Sequence, residues 1–527
     1  MIMTIASIEC LPDEMFVEIF RYLDGYDILQ SFLNLNYRFR QLLTSSSLKL
    51  RVKLCGEILL PQKYQIYSLH LSYDLHMDQF LTSYPIDSSF TQLESLSIQF
   101  IQTDQALRLL QNLLYCPRLH QLTIRLADDQ IDLYTIYSSI FRLRVLNYLK
   151  ISSLENGLSF FWPYQSLKSA NLIKYLIIDH PCTVNDIMTI LSFTPNLSHL
   201  TCKKSLTCLF TSFPLIATDK LIFLSLKDCQ MDFDEFETFI RKISSTLQIM
   251  KVVTFNDSSY LDANRWQQLI STNMLQLRKF YFEYHEYFDD DYKVTPVHHL
   301  ANQFTNQFWI EKQWKFEISI DNFEIIYSIQ PYTNEIFDSK LQLRWTKHLV
   351  ESLNKSLIRK LDPFLTVFKI ARLNVDCSNI PILMLAKLIQ KLSYLTNLTV
   401  LCLPSCEAEN WLNKKHRIVR LSQKNHSITQ VNLHSISDMQ QVQFVLCLCP
   451  FVEYLTMNCT DGIDLTSLVK LIFQTNHTCI EYLKQLCLIV PLVRDELTQN
   501  LWRMVNSCRC NFAIKYINKI IYFQRNL

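Results

Sequence analysis

The chain's 527 residues, 49% of them hydrophobic and 19% charged, supply ample material for a core and set aside a disordered chain; the length suits roughly two to four domains or one extended repeat array. A formal net charge of +2 creates no global field that would draw the protein to nucleic acid or to an anionic membrane, so no nucleic-acid or membrane partner is expected and recognition falls to local surface. Only four glycines are present, Gly25, Gly56, Gly157 and Gly462, too far apart for G-x-G-x-x-G, G-x-x-x-x-G-K or G-x-S-x-G, which excludes the common phosphate cradles and the nucleophile elbow.

The opening MIMTIASIECLPDE lacks a basic start and meets Glu9 before an apolar core of signal-peptide length. No stretch approaches the roughly 18 uncharged apolar residues of a membrane span. An intracellular protein, cytoplasmic or nuclear, is the expectation. Residues 11 to 43 read as three short helices. Pro12 suits a first helical position, and Asp13 and Glu14 place negative charge on the first turn. Phe16, Ile19, Phe20 and Leu23 form an apolar stripe at helical spacing that Asp24-Gly25 ends. Asp27 is placed to cap a second helix carrying Ile28, Leu29, Phe32 and Leu33, and Asn36 a third carrying Phe39, Leu42 and Leu43. A module of about forty residues cannot bury all its apolar faces alone and needs a partner surface.

Leu11, Pro12, Glu14, Ile19, Phe20, Leu23, Asp27 and Ile28 follow, in order and spacing, the Leu-Pro-x-Glu, Ile/Leu pair, Leu, Asp-Leu pattern of the F-box, which residues 5–50 resemble. Leu35-Asn36-Tyr37-Arg38-Phe39 stands where that family carries a late Val-Cys-Arg and a Trp. The resemblance implies docking on a Skp1-like adaptor, and through it on a cullin, with Leu11, Pro12, Ile19, Phe20, Leu23 and Ile28 facing Skp1. The plain alternative is a helical cap that packs on the next domain of its own chain.

Over residues 65–283 a six-residue phrase recurs: apolar, two variable, apolar, one variable, apolar. It runs from Leu93/Leu96/Ile98 to Leu277/Phe280/Phe282 in steps of 24 to 30 residues, close to the period of leucine-rich repeats. The stretches between are helical where legible, with Asp232 and Glu235 at capping-box spacing and Thr103 and Thr183 as caps. Only Cys229 cleanly fills the Asn/Cys ladder position of such repeats, so the turn carbonyls need other partners. Over 284–360 the period fails: FWIEKQWKFEISIDNFEIIYSIQPY alternates like a strand hairpin, an insert or divergent repeat. His285, Glu286, Asp289, Asp290, Asp291, His298 and His299 gather there without H-E-x-x-H or EF-hand spacing, and read as a solvated acidic loop and not a metal site. Over 361–527 the phrase returns, from Ile370/Leu373/Val375 to Leu483/Leu486/Leu488, with Ser437 and Gln440 at capping-box spacing. The seventeen cysteines include no C-x-x-C and mostly sit in apolar runs such as FVLCLCP, as small buried hydrophobes.

The expected fold is α/β: an amino-terminal three-helix F-box, then an irregular, curved leucine-rich-repeat-like solenoid with one strand and one helix per repeat. Variable phrase positions should line its inner curve and meet a protein substrate there, with Tyr148, Lys150, Lys174, Tyr175, Lys251, Arg278 and Tyr281 as contacts. The thirteen phrases carry seven basic and two acidic variable residues, which suits an acidic or phosphorylated segment. No catalytic pair is singled out, and neither cofactor nor metal is expected. The expectation is a non-catalytic substrate receptor resembling those of SCF ubiquitin ligases; the alternative is a repeat scaffold or inhibitor with no ubiquitin role.

Overall fold

A computed structural model describes residues 11–46, 48–54, 62–72, 77–127, 133–153, 171–204, 206–208, 219–255, 257–287, 296–321, 324–332, 342–345, 365, 367–377, 382–403, 427–460, 463–474, 479–490, 495–507, 512–517 and 520–525. The architecture is mixed α/β with a parallel-rich sheet. Two compact units divide the chain, one of Met1–Thr254 with Gln268–Lys279, the other of Phe255–Gln267 with Phe280–Leu527.

The first unit begins with three helices, α1 (Asp13–Phe20), α2 (Gly25–Phe32) and α3 (Tyr37–Thr44). Pro12 ends up just ahead of α1, and Asn36 caps α3 by accepting from Phe39 N, as its sequence position predicts. Phe16, Phe20, Ile28, Leu29, Phe39, Leu42 and Leu43 are buried, with Phe16 and Phe39 in an edge-on pair at 4.8 Å and Phe32 touching both Phe20 and Phe39.

Among the described residues nine parallel strands follow, their registers shifting between β1 and β2, β3 and β4, and β10 and β11: β1 (Leu50–Leu54), β2 (Ile66–Leu71), β3 (Ser95–Ile101), β4 (Gln121–Leu126), β5 (Tyr148–Ser153), β6 (Tyr175–Asp179), β8 (His199–Cys202), β10 (Phe223–Cys229) and β11 (Ile249–Phe255); the short β7 (Cys182–Thr183) and β9 (Leu206–Thr207) pair beside them. Leu96, Leu122, Leu149, Leu176, Leu200, Leu224 and Met250 stand opposite one another and are fully buried. Each such side chain contributes roughly 1.5–3 kcal/mol on burial. The helices Thr103–Leu113, Leu133–Ile140, Val184–Phe193 and Phe233–Ile243 follow their strands and close the core from the other side.

A chain of backbone hydrogen bonds ties the strand starts together. The carbonyl of Glu94 accepts from both His120 N and Gln121 N, that of His120 from Asn147 N and Tyr148 N, and the pattern repeats at Asn147, Lys174, Ser198, Ile222 and Gln248. At the strand ends Thr254 Oγ1 donates to the Cys229 carbonyl at 2.7 Å, and Lys203 N to that of Ile178 at 2.8 Å. These are the partners that the turn carbonyls find in place of an Asn ladder.

In the second unit, β12 (Lys279–Tyr287) and β13 (Trp314–Asp321) both pair antiparallel with β14 (Glu324–Pro331), so the alternating segment does form a hairpin. Then β15 (Gln342–Trp345), β16 (Arg372–Asp376), β17 (Asn397–Cys402), β18 (Gln430–Ile436), β19 (Tyr454–Cys459) and β20 (Gln485–Ile489) run parallel, from β13 through to β20. A terminal hairpin of β21 (Phe512–Ile517) and β22 (Ile520–Arg525) lays β22 antiparallel on β20. The same carbonyl pattern recurs at Ala371, Thr396, Thr429 and Glu453.

The expectation of a solvated loop for His285, Glu286 and His298 is corrected here. His285 and Glu286 lie on β12, and His298 is fully buried, its Nε2 at 2.9 Å from Glu286 Oε2, which also accepts from Tyr327 Oη at 3.1 Å. His285 Nδ1 donates to Glu324 Oε1 at 2.8 Å, and the carboxylates of Glu283 and Glu324 hold its pKa above the usual imidazole value. Antiparallel pairing, unseen by local spacing, places His285 and Glu286 beside Glu324 and Tyr327, and the short helix Pro296–Leu300 carries His298 to Glu286 while His299 stays exposed; Asp289, Asp290 and Asp291 fall outside the described residues.

Candidate functional site

The helical module meets the first strand through one carboxylate and one missing side chain. Asp24 Oδ1 accepts from Tyr26 N and so caps α2, while its Oδ2 accepts from Lys53 N of β1, each at 2.8 Å. Asp24, and not Asp27, is thus the cap. A Cβ on Gly25 would lie 3.0 Å from both the Arg51 carbonyl oxygen and Val52 Cγ2, so glycine lets α2 close onto the strand. Arg38 of α3 reaches back to the start of α1, donating from Nη2 to the Leu11 carbonyl at 2.5 Å and from Nε to Asp13 Oδ1 at 2.8 Å.

With those contacts made, one side of α1 remains uncovered. Met15 is 50% exposed, Ile19 36%, Tyr22 83% and Leu23 42%. Met15 and Ile19 lie one turn apart on α1 and Tyr22 and Leu23 in the turn that follows it, so the four flank the buried Phe16 and Phe20 along one edge of the stripe. Of the residues that the F-box resemblance assigns to the partner, Leu11, Pro12, Ile19 and Leu23 keep accessible surface. Phe20 and Ile28 do not: both are fully buried within the chain's own core, where they support the face from beneath. Met15 and Tyr22 belong to the surface although the family pattern does not name them; counting i, i+4, i+7 from Met15 finds Tyr22.

A second surface lies on the strand face of the first unit. The register places Gln121, Tyr148, Tyr175, His199, Phe223 and Ile249 in one row, and Thr123, Lys150, Ile177, Thr201, Ser225 and Lys251 in the next. Tyr175 stacks on His199 with ring centroids 4.5 Å apart, and His199 on Phe223 at 5.5 Å. Tyr175 is 42% exposed, and Tyr148, His199, Phe223 and Ile249 are half-buried. Burial depresses the His199 pKa, which keeps the imidazole neutral near pH 7, and raises that of the Tyr148 phenol. The stack is therefore uncharged, and cations stand at its border. Lys251 Nζ lies 5.9 Å from the Phe223 centroid, and Lys150 and Lys203 share Asp179 Oδ2 at 4.0 and 3.7 Å.

Tyr148, Lys150, Lys174, Tyr175 and Lys251, singled out from sequence, thus sit on or beside one strand face, with Lys174 exposed just ahead of β6. Arg278 is exposed in the same unit, its amide donating to the Gln248 carbonyl at 2.9 Å, whereas Tyr281 is half-buried in the second unit. Phe223, Asp179 and Lys203 were not among the expected contacts. Phe223 occupies the third phrase position after Leu221, so the same periodicity marks it. The two acidic phrase residues are already neutralised, Glu94 by Lys49 at 3.3 Å and Glu453 by Lys484 at 2.8 Å.

The remaining perturbed pair is internal. His180 Nδ1 donates to the Pro181 carbonyl and Nε2 accepts from Tyr137 Oη, each at 2.8 Å, and burial pushes its pKa down to about 4. Asp186, in the capping box with Thr183, is pushed up to about 6 by burial against the opposing hydrogen bonds from Thr183. Among the described residues no group of three or more His, Cys, Asp or Glu is placed to hold a metal ion, and no helix is long and apolar enough to cross a membrane. No protein-family model matches the chain, and no curated protein matches it either.

Proposed function

We propose that this chain is a non-catalytic substrate receptor of an SCF-type ubiquitin ligase, its amino-terminal F-box-like helices binding a Skp1-type adaptor and its repeat-like strand face binding a protein substrate. The single observation that carries the reading is the uncovered apolar patch of α1 and the turn after it, Met15, Ile19, Tyr22 and Leu23, on a module otherwise fastened to β1. A helical cap serving only its own chain has no use for four accessible apolar side chains on its outer face, whereas an adaptor-binding module requires them. An adaptor of this kind raises the effective concentration of substrate at a ubiquitin-charged enzyme and needs no catalytic group of its own.

The test is co-purification with a Skp1-type adaptor. The parent chain should capture it, and Ile19→Asp with Leu23→Asp should reduce capture at least tenfold while thermal stability changes little, because both side chains already contact water. Failure of the parent to capture the adaptor would leave a repeat scaffold or inhibitor with no ubiquitin role as the reading.

A further inference from the structure

We propose that the ring row of the first unit docks an extended acidic protein segment with apolar residues at its centre, lying across the strands. This deepens the reading of the strand face as the substrate surface, and rests on it. The rings themselves point to the ligand class. Tyr175, His199 and Phe223 stack on one another in successive strands, so the inner ring faces are occupied and the edges form the surface. Ring edges carry the positive end of the aromatic quadrupole and attract carbonyl and carboxylate oxygens. Single-stranded nucleic acid instead needs free ring faces on which to stack its bases.

The cations set the ends. Lys150 and Lys251 stand in the same row, on β5 and β11, four strand steps apart through β6, β8 and β10. At ~4.8 Å per step that is about 19 Å. An extended chain covers the distance in roughly six residues. At the β5 end, Lys150 and Lys203 share the one carboxylate of Asp179, which leaves one positive charge unbalanced. Between the ends the lysine row offers Ile177, and the ring row beside it, from Tyr148 on β5 to Ile249 on β11, offers Tyr148, Tyr175, Phe223 and Ile249, apolar or amphipathic and all at least partly accessible. The complementary ligand has carboxylates at both ends and apolar side chains between them.

The experiment uses the full chain and a fluorescein-labelled peptide, Glu-Glu-Leu-Tyr-Leu-Glu-Glu, read by anisotropy, beside an analogue with Lys in place of each Glu and a labelled oligouridylate. The acidic peptide should bind, the Lys analogue at least tenfold more weakly, and the oligouridylate more weakly than the acidic peptide. Tyr175→Ala with Phe223→Ala should weaken acidic-peptide binding at least tenfold. Lys150→Glu with Lys251→Glu should invert the preference, so that the Lys analogue becomes the better ligand; this gain keeps the test informative if the alanine variant unfolds. No binding of the acidic peptide, indifference to peptide charge, tighter binding of the oligouridylate, or no inversion in the charge-swapped variant would overturn the proposal. Adaptor capture by the ring and charge variants should persist, and Ile19→Asp with Leu23→Asp should leave peptide binding intact, so the two readings fail separately.

Discussion

At the scale of single residues, the scarcity of glycine leaves a mark on the backbone. Phe100 and Gln313 hold left-handed φ values of 60° and 56°, a region where a side chain costs roughly 1–2 kcal/mol. Gln313 is exposed and follows the helix Gln307–Glu311, a place where glycine is the usual choice. Gln313→Gly should therefore stabilise the second unit by about 0.5–1 kcal/mol after its larger unfolded-state entropy is counted, measured as a higher urea midpoint. Gly25→Ala should do the reverse in the first unit: its Cβ meets backbone oxygen at 3.0 Å, and overpacking of that kind costs about 1–3 kcal/mol. Caps divide along similar lines. Asn36, Thr183 and Asp232 were legible because each bonds within its own turn. Asp24 was missed in favour of Asp27 because half its role is a hydrogen bond to Lys53, 29 positions away. Gln102 and Asp438, each one position from the expected Thr103 and Ser437, show how closely capping-box spacing fixes the turn without fixing the residue.

Elements were more legible than caps, since alternation of buried and exposed positions is a local property. All thirteen sequence phrases coincide with strands, and β2 carries an unmarked further copy in Ile66, Leu69 and Leu71. The terminal hairpin was not foreseen; its strands fall outside the repeated phrase, and β22 owes its place to an antiparallel pairing with β20. Within the core behind β6, burial acts on His180 and Asp186 in opposite senses. His180 titrates near 4 in the fold against 6.5 when unfolded, so its contribution is full above pH 6.5 and is lost as pH falls toward 4. Asp186 titrates near 6 against 3.8, so the fold gains stability as pH falls from 6 toward 3.8. Each spans roughly 3 kcal/mol at 1.36 kcal/mol per unit, and the two offset each other. Asp186→Asn keeps an acceptor for the Thr183 amide but removes one side of the balance. The variant should lose about 1.3 kcal/mol more than the parent between pH 7 and pH 5, measured by urea unfolding at each pH.

On the scale of the whole molecule, the sequence made the strand face visible but not the traffic across it. Tyr175 and Lys150 follow from periodicity alone, whereas the Tyr175–His199–Phe223 stack depends on which strands are neighbours, and the sharing of Asp179 depends on two strands at once. Chemistry at α1 and at the ring row should accordingly respond to mutation independently, with adaptor capture and peptide binding as the two readouts. The amide-to-carbonyl chain at the strand starts, from Glu94 to Gln248 and again from Ala371 to Glu453, is built mainly from main-chain atoms, with Ser198 Oγ and Thr396 Oγ1 adding to the Lys174 and Ala371 carbonyls. The frame at the strand starts thereby asks little of most outward side chains along those strands. Single substitutions can therefore rewrite the chemistry of such a surface with little penalty in foldability, while the frame beneath stays the same.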